Sequence, residues 1–367
     1  MSPTDPRSAE FSAALAASGE SFGRVNVAAI YCVHGTFVGN DMLGLFTELS
    51  RFAPSVSKSL SRCGKRVVDF VTGEAGNYTR EFTSTLESEL SRGAGRTISV
   101  RLFNWSSQNN HIARADGAIR LIDELARLAI DRDGAETERV QLWAHSHGGN
   151  VLALVSQLIG ADQAVRDEFF ESASCFYQSS LRQSVDMPLW PRVRELLSDA
   201  EHPLRRLALD MITFGTPIRY GWNAGGYAKL LHFIHHRPPP EGEAYQAPIP
   251  LKLLRACQAK DGDYVQQFGI SGTNIVPCPL AVRTFLANRR LDQLLEPEEE
   301  DEGIVARLRR AQRVSDEGTT LLVDYSEVSR WPHRHLAGHA LYTRRKWLPF
   351  HCREIAQRLY CEEENEG

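Results

Sequence analysis

Short apolar runs that alternate with amphipathic stretches are the feature that most restricts the fold of this chain. Residues 25–33 and 207–214 are mostly apolar runs of strand length, whereas apolar positions in residues 113–130 recur at helical spacing. Strands that are apolar on both faces are typical of parallel sheets covered by helices on both sides. The sequence therefore predicts an α/β protein with a mostly parallel central sheet.

The same pattern predicts strands and helices along the whole chain. The predicted strands are residues 25–33, 98–105, 140–144, 207–214, 230–235 and 320–325. The predicted helices are residues 41–52, 78–91, 113–130, 151–159 and 349–360. Three of the strands end in polar, glycine-bearing motifs, which are HGT at 34–36, HSHGG at 145–149 and FGTP at 214–217. Ligands of open α/β sheets bind outside the carboxyl ends of the strands, so a site is expected there.

The domain organisation is expected to be one α/β domain over residues 25–360, with a loose leader at 1–24 and a tail at 361–367. Three stretches fall outside the alternating pattern. Residues 161–206 are aromatic-rich and are expected to form either a lid over the site or a surface helical insertion with its own small core. Residues 237–262 are proline-rich and residues 288–318 contain an acidic run, so both are expected to be loop insertions.

Charge and hydropathy exclude several classes of function. The 367 residues carry a formal net charge of −4, with basic residues scattered among acidic ones, so no nucleic-acid footprint is expected. No stretch approaches the roughly 18 apolar residues of a membrane-spanning helix, and residues 1–24 lack the features of a signal peptide. The seven cysteines form no CxxC pair. A soluble, cytoplasmic protein is therefore expected.

The motif AHSHGG at 144–149 is typical of a turn that presents a nucleophilic serine. Serine is a weak nucleophile near neutral pH and has to project clear of its backbone toward a base. A tight strand-to-helix turn with small residues on either side of the serine achieves this. Here Ala144 stands where a glycine is usual, and Gly148 occupies the second small position. We predict Ser146 as the nucleophile.

Two backbone amides are expected to form an oxyanion hole. The N–H of His147 stands at the start of a helix, where free amides and the helix dipole favour negative charge. In hydrolases with this kind of turn the second donor comes from an earlier loop that often bears His-Gly. We assign that donor to the N–H of Thr36, because Gly35 lets the backbone approach a substrate closely.

The general base is expected after the last strand, because the order in such hydrolases is serine, acid, histidine. Three histidines lie there, His333, His335 and His339. We predict His339 as the base, since Gly338 and Ala340 flank it and the terminal helix follows. His335 is the alternative base, and His333 is expected to be an ordinary surface or core imidazole.

The carboxylate that would accompany Ser146 and His339 is harder to identify from the sequence. No carboxylate stands at the end of strand 230–235, but Asp261 and Asp263 follow later on either side of a glycine. We predict Asp263 as the acid and keep Asp261 as the alternative. Both also fit an ordinary turn, because Asp-Gly-Asp is common turn chemistry. Asp324, near the last strand, is a third candidate.

Taken in chain order, these motifs resemble the lipase and esterase branch of the α/β-hydrolase superfamily. The resemblance rests on HGT at 34–36, AHSHGG at 144–149, TFGTP at 213–217, DYV at 263–265 and GH at 338–339. FGTP is similar to the Phe-Gly-Ser/Thr-Pro of many lipases, and DYV to the Asp-Pro-Val that carries their acid. FNWS at 103–106, with Asn109 and Arg114, resembles the Trp-Ser-x-x-Asn…Arg of some lipase-like hydrolases. Together these motifs cover roughly residues 25–360, by order rather than by detailed identity.

The resemblance implies a serine hydrolase that cleaves a carboxylic ester, of a small molecule or a lipid, through an acyl-enzyme. In that scheme Ser146 attacks the carbonyl, His339 accepts and returns the proton, and Asp263 holds the imidazole tautomer. Neither a metal ion nor an organic cofactor is implied.

Two other functions compete with this one. A binding or interaction protein that keeps the fold without a working triad is the first, and the poorly defined acid favours it. A metal hydrolase is the second, because His145 and His147 resemble the first half of a His-x-His-x-Asp-His motif. The next two positions of that motif are occupied here by Gly149 and Asn150, which are not the required ligands.

Overall fold

The structure is a computed structural model and describes most of the chain. The described residues are 3–36, 76–132, 137–179, 184–217, 219–238, 255, 258–270, 274–295, 315, 317–325 and 335–361. The predicted helix 41–52 lies outside them, as do most of the insertion 237–262 and the acidic run of 288–318.

All six predicted strands are present and form one parallel sheet. They are β1 (Val27–Val33), β2 (Ser99–Phe103), β3 (Arg139–His145), β4 (Ala208–Phe214), β5 (Lys229–His235) and β6 (Thr319–Val323). Their order across the sheet is β2-β1-β3-β4-β5-β6, and each neighbouring pair is parallel. The predicted α/β class is confirmed.

Helices cover both faces of the sheet. They are α1 (Ala9–Arg24), α2 (Arg80–Ala94), α3 (His111–Asp131), α4 (Gly148–Gly160), α5 (Gln163–Ser172), α6 (Ser174–Tyr177), α7 (Leu189–Ser198), α8 (Tyr264–Ile270), α9 (Val282–Leu295) and α10 (Leu348–Tyr360). On β1, Tyr31 and Val33 pack with α3 and α4, whereas Ile30 and Cys32 pack with α1, α2 and α10. The strand is apolar throughout because successive side chains enter two different cores.

The expectation of a loose leader at 1–24 is wrong, because α1 occupies most of it. Ser8 caps the helix by accepting a hydrogen bond from the Phe11 amide at 3.1 Å. Phe11, Leu15 and Phe22 share one buried face that packs against α2 and α10. This apolar face is narrow and lies among alanines and serines, so its sequence pattern is weak although its burial is complete.

The insertion 161–206 is packed against the main domain. It contains α5, α6, α7 and a short antiparallel hairpin of residues 178–179 and 184–185, which the sequence pattern did not predict. Trp190 is fully buried, with its ring centroid 5.2 Å from that of Tyr177 and 6.1 Å from that of Phe169. These rings belong to the same core as α3 and α4. The aromatic residues therefore anchor the insertion to the domain, and whether it also acts as a lid stays a prediction.

The order of the strands creates a crevice between β1 and β3. From β1 the chain crosses to β2 on one side and then to β3 on the other, so the direction of winding reverses there. Such a reversal point is where open α/β sheets bind ligands, outside the carboxyl ends of the strands. The residues that follow β1 and β3 are 34–36 and 146–147.

Across the parts of the chain that the structure describes, no helix has both the length and the apolar character needed to span a bilayer.

The packing of α1 predicts a large difference between two leucine-to-alanine substitutions. Leu15 is fully buried against α2 and α10, whereas Leu280 is 91% exposed. We expect Leu15→Ala to lower the free energy of unfolding by about 2–5 kcal/mol, through lost burial and the cavity left behind. Leu280→Ala is expected to change it by less than about 0.5 kcal/mol. Urea unfolding of both variants measures this, and equal effects would contradict the assignment of α1 to the core.

Candidate active site

Ser146 occupies a strained turn between β3 and α4. Its φ is +54°, in the left-handed region that non-glycine residues rarely adopt, at a cost of about 1–3 kcal/mol. Two hydrogen bonds hold the turn: the Ser146 amide donates to the Phe214 carbonyl at 2.9 Å, and the Thr216 hydroxyl donates to the Ser146 carbonyl at 2.8 Å. The sharp reversal places the serine at the carboxyl edge of the sheet, as its motif predicts.

The loop after β1 lies directly against the serine. A Cβ atom on Gly35 would come within 2.7 Å of the Ser146 Cβ and 3.3 Å of its Oγ, so only glycine fits this approach. Thr36, the predicted oxyanion donor, is the next residue and is partly exposed. Thr36 follows Gly35 and His147 follows Ser146, so the two predicted oxyanion donors are amides of the residues next to the Gly35–Ser146 contact.

His339 and Asp263 form a close, buried pair. The distance from His339 Nδ1 to Asp263 Oδ2 is 2.7 Å, and the two side chains belong to residues that are 6% and 0% exposed. Asp263 is far from β5 in sequence, yet its amide donates to the carbonyl of His235, the last residue of that strand, at 2.9 Å. A β-bridge between His236 and Gly262 makes the same junction. The chain thus leaves β5 and returns to its carboxyl end before it supplies the carboxylate.

The surroundings of Asp263 keep it ionised. Burial by itself would raise its pKa, but the charge and hydrogen bond of His339 outweigh burial, together with hydrogen bonds from the Gln266 amide and the Tyr342 hydroxyl. The last two are both 2.9 Å long. The pKa of Asp263 consequently lies below its ordinary value. A carboxylate at this position fixes the proton of His339 on Nδ1 and leaves Nε2 as the acceptor nitrogen.

His339 is also tied to the turn that carries the serine. His145, the residue before Ser146, donates from Nε2 to the His339 carbonyl at 3.0 Å, and the two imidazole centroids lie 4.5 Å apart. The Nε2 atom of His339 is buried and has no hydrogen-bond partner among the described residues. No Ser146–His339 hydrogen bond is therefore formed here, and in unliganded sites such bonds are often long.

The FGTP motif connects the acid with the serine turn. Gly215 has a φ of +58°, and a Cβ atom there would lie 2.6 Å from Asp263 Oδ2 and 2.5 Å from a ring carbon of Tyr342. Glycine is therefore required at this position on two grounds. The following residue, Thr216, supplies the hydroxyl that holds the Ser146 carbonyl.

The two alternative acids are engaged elsewhere. Asp261 accepts hydrogen bonds from the guanidinium of Arg255, including one from Nε at 3.0 Å. Asp324 pairs with Arg237 at 2.6 Å. Of the three candidate carboxylates, Asp263 is the one that contacts His339.

The alternative base has a structural contact instead. The Nδ1 atom of His335 accepts from the Gly338 amide at 3.3 Å, which closes the short turn that precedes His339. His333 lies outside the described residues.

Several residues of the site were not predicted from sequence. Tyr342 donates to Asp263 and His145 donates to the His339 carbonyl, and neither contact has a sequence motif of its own. Arg114 was noted only as part of a motif, yet it is fully buried and its Nη1 lies 3.3 Å from His147 Nδ1. The same helix carries Asp116, Arg120, Asp123, Glu124 and Arg127, so charge within the helix gave no signal that Arg114 is buried.

The geometry does not favour a metal centre. Among the described residues no group of three or more histidine, cysteine or acidic side chains is arranged to hold a metal ion. His145 uses Nε2 to bind the His339 carbonyl, and His147 uses Nδ1 to accept from Asn150 at 3.1 Å. The two imidazoles on either side of Ser146 thus serve the surrounding structure.

Buried histidines predict a loss of stability in mild acid. Burial lowers the pKa of six imidazoles below the ordinary 6.5: to about 3 for His111, His145 and His351, to about 4 for His232 and His235, and well below 6.5 for His147. Unfolding exposes them and raises their pKa, so the unfolded chain binds more protons below pH 6.5. The free energy of unfolding therefore has its full value above pH 6.5 and falls as the pH decreases from there toward 4.

The expected size of this effect is large. Each group contributes at most about 1.4 kcal/mol per pH unit below 6.5 and all six act in the same direction, so the loss by about pH 5.5 is expected to be several kcal/mol, a large part of the stability of a typical domain. We expect the urea midpoint to fall sharply between pH 7.5 and 5.5. His351→Phe is expected to reduce the proton uptake on unfolding by about one proton. Equal midpoints at the two pH values would contradict this prediction.

Comparison with known proteins gives no match to a family model, to a curated protein or to a solved structure. The chemistry of the site accordingly has to be argued from its own geometry.

Proposed function

We propose that the protein is a serine hydrolase of the α/β-hydrolase superfamily that cleaves a carboxylic ester of a small molecule or lipid. The observation that carries this proposal is the buried pair of His339 and Asp263, 2.7 Å apart, beside the strained turn of Ser146. A nucleophile, a base and a carboxylate that orients the base are the parts that acyl transfer requires. Their order along the chain is the one that the superfamily uses.

The position of the site in the fold supports the same proposal. Ser146 follows β3, Gly35 follows β1 and Asp263 binds the end of β5, so all three lie at the carboxyl edge of one parallel sheet. The reversal of winding between β1 and β3 lies next to the serine. Enzymes with open α/β sheets place their ligands at this edge.

In the proposed reaction the Ser146 hydroxyl attacks the ester carbonyl while His339 Nε2 accepts its proton. The negative charge on the carbonyl oxygen is stabilised by the amides of Thr36 and His147, each such donor contributing about 2.7–4 kcal/mol. His339 then gives the proton to the departing alcohol, which leaves an acyl-serine. Water, deprotonated by the same nitrogen, attacks the acyl group and releases the acid and the free serine. Asp263 remains ionised throughout.

The hydrogen bonding of His339 Nε2 is what has to change when substrate binds. The nitrogen is buried and has no hydrogen bond to any described residue. The mechanism needs the Ser146 hydroxyl to donate to this nitrogen, so we expect that hydrogen bond to form when substrate binds. Asp263 and His145 hold His339 in place.

A fluorophosphonate probe tests the nucleophile directly. We expect the wild-type protein to be labelled at Ser146 and to hydrolyse p-nitrophenyl esters of graded chain length. Ser146→Ala should remain folded, since the hydroxyl is not part of the turn's hydrogen bonds. Its activity should fall by a factor on the order of 10⁶ in kcat.

The competing functions give different results in the same experiment. A folded protein with neither labelling nor esterase activity would support the binding protein. Activity that is lost with EDTA, without labelling, would support the metal hydrolase. Equal turnover by wild type and Ser146→Ala contradicts the proposal.

The two neighbouring aspartates provide a matched test of the acid. Asp263→Asn keeps the shape of the side chain but removes the charge that holds the His339 tautomer, so we expect kcat to fall by about 10⁴. Asp261→Asn is the control, because Asp261 binds Arg255 rather than His339. It should retain kcat within about tenfold while losing some stability. If the two variants lose activity equally, Asp263 is not the acid.

A further inference from the structure

A cluster of buried polar side chains lies beside the nucleophile turn and has no part in the reaction described above. It consists of Asn109, His111, Arg114, His147, Asn150, Tyr220 and Asn274, and we call it the Arg114 cluster. Its members come from α3, from α4, from the nucleophile turn and from three loops. Burying so many polar groups is costly unless each is hydrogen-bonded, so their arrangement calls for an explanation.

The guanidinium of Arg114 is the centre of the cluster and is fully buried. Its Nε donates to the Tyr220 hydroxyl at 2.9 Å and its Nη1 to Asn109 Oδ1 at 3.1 Å. Its Nη2 donates to Asn274 Oδ1, and the cation lies 5.5 Å from the centre of the Tyr220 ring. These contacts fix the plane of the guanidinium, and the remaining direction of Nη1 points at His147 Nδ1, 3.3 Å away.

The hydrogen bonds of His147 determine which of its nitrogens carries the proton. Arg114 is only a donor, so His147 Nδ1 has to accept from it. Asn150 Nδ2 lies 3.1 Å from the same nitrogen and also 3.1 Å from the Pro217 carbonyl, an acceptor, which identifies it as the amide's donor end. Two donors therefore meet at Nδ1. The proton of the neutral imidazole is on Nε2.

The cluster also keeps His147 neutral. Burial lowers its pKa well below 6.5, and the charges of Arg114 and Arg219 lower it further. Protonation of Nδ1 would also place its N–H group against the N–H donors of Arg114 and Asn150, which is unfavourable. Across the working pH range the residue is thus a neutral imidazole with one N–H group, on Nε2.

That N–H group is available for a substrate. Nε2 of His147 makes no hydrogen bond to any residue that the structure describes, and the residue keeps 5% exposure, the same as Ser146. His147 follows Ser146 directly, so its imidazole belongs to the same turn as the predicted nucleophile. Its Nδ1 edge is held by Arg114 and Asn150, and its Nε2 edge has no partner among the described residues.

We propose that the Nε2–H of His147 donates a hydrogen bond to an oxygen atom of the substrate close to the scissile carbonyl, and that Arg114 is the positioning residue that holds this imidazole. The proposal rests on the proposed ester hydrolysis and narrows its substrates. The preferred esters carry a second acceptor oxygen, such as an ether, hydroxyl or carbonyl group, near the ester bond. Sites built to donate to a substrate oxygen discriminate strongly against analogues that lack it.

Pairs of isosteric esters test the proposal. The pairs are p-nitrophenyl 3-methoxypropanoate with p-nitrophenyl pentanoate, p-nitrophenyl ethoxyacetate with the same pentanoate, and 2-methoxyethyl butanoate with butyl butanoate. For each pair, kcat/KM of the ether ester is divided by kcat/KM of its methylene analogue, both measured on one preparation. This ratio is then divided by the corresponding ratio of rate constants for hydrolysis by hydroxide, which corrects for the intrinsic reactivity of the two esters. This quotient does not depend on the fraction of active protein, so partial misfolding of a variant leaves it unchanged.

Substitutions of His147 and Arg114 are expected to move that quotient. In the wild type at least one ether should be preferred, and His147→Phe, which keeps a planar ring but has no donor, should reduce the preference about tenfold. His147→Gln retains an N–H donor and should restore part of it. Arg114→Met should also reduce the preference, although Arg114 does not touch the substrate, because the imidazole is then free to rotate.

Fluorophosphonate labelling separates the possible failures. If the wild type is labelled at Ser146 but shows the same quotient as His147→Phe for every pair, the inference is wrong and the proposed hydrolase stands. If all pairs lose activity equally in His147→Phe, the imidazole supports the turn and does not contact a substrate oxygen, and the inference is again wrong. If the wild type is not labelled at all, the proposed function fails and the inference fails with it.

Discussion

The hydrogen bond from His339 to Asp263 is the interaction on which the arrangement of this site depends. It joins a loop before the last helix to a segment that is itself hydrogen-bonded to the end of β5. His145 holds the same loop from the other side, directly before the nucleophile turn. Because one anchor ends β3 and the other is hydrogen-bonded to the end of β5, the position of the imidazole is set by the sheet.

Burial sets the electrostatics of this edge of the sheet. Histidines withdrawn from water remain neutral, whereas Asp263 stays charged because three donors surround it. The same physics gives His147 a single N–H group and makes its environment depend on a buried arginine. The features proposed for catalysis and for substrate choice therefore share one expected cost: the fold should be less stable in mild acid, because those histidines take up protons when the chain unfolds.

The sequence pattern predicted the sheet well and one helix poorly. The four central strands have both faces covered, so their side chains are nearly all buried and their apolar runs are easily recognised, as in Val27–Val33. Helix Ala9–Arg24 has a narrow apolar face among small residues, and only its contacts with two other helices show that it is part of the core. Within the site, Ser146 and His339 stand in motifs with a local reason, whereas Tyr342 and Arg114 act through partners that are distant in sequence.

The sequence by itself determined the parallel α/β class and the strained turn at Ser146, because both follow from local periodicity and from small residues next to a serine. Only the tertiary structure decided which of Asp261 and Asp263 contacts His339. The two aspartates are two residues apart in the same kind of turn, so no local pattern distinguishes them. The difference arises where the chain returns to β5, which turns one carboxylate toward Arg255 and the other toward His339. The partner of each aspartate depends on contacts between segments that are distant in sequence, and these contacts exist only once the sheet has formed.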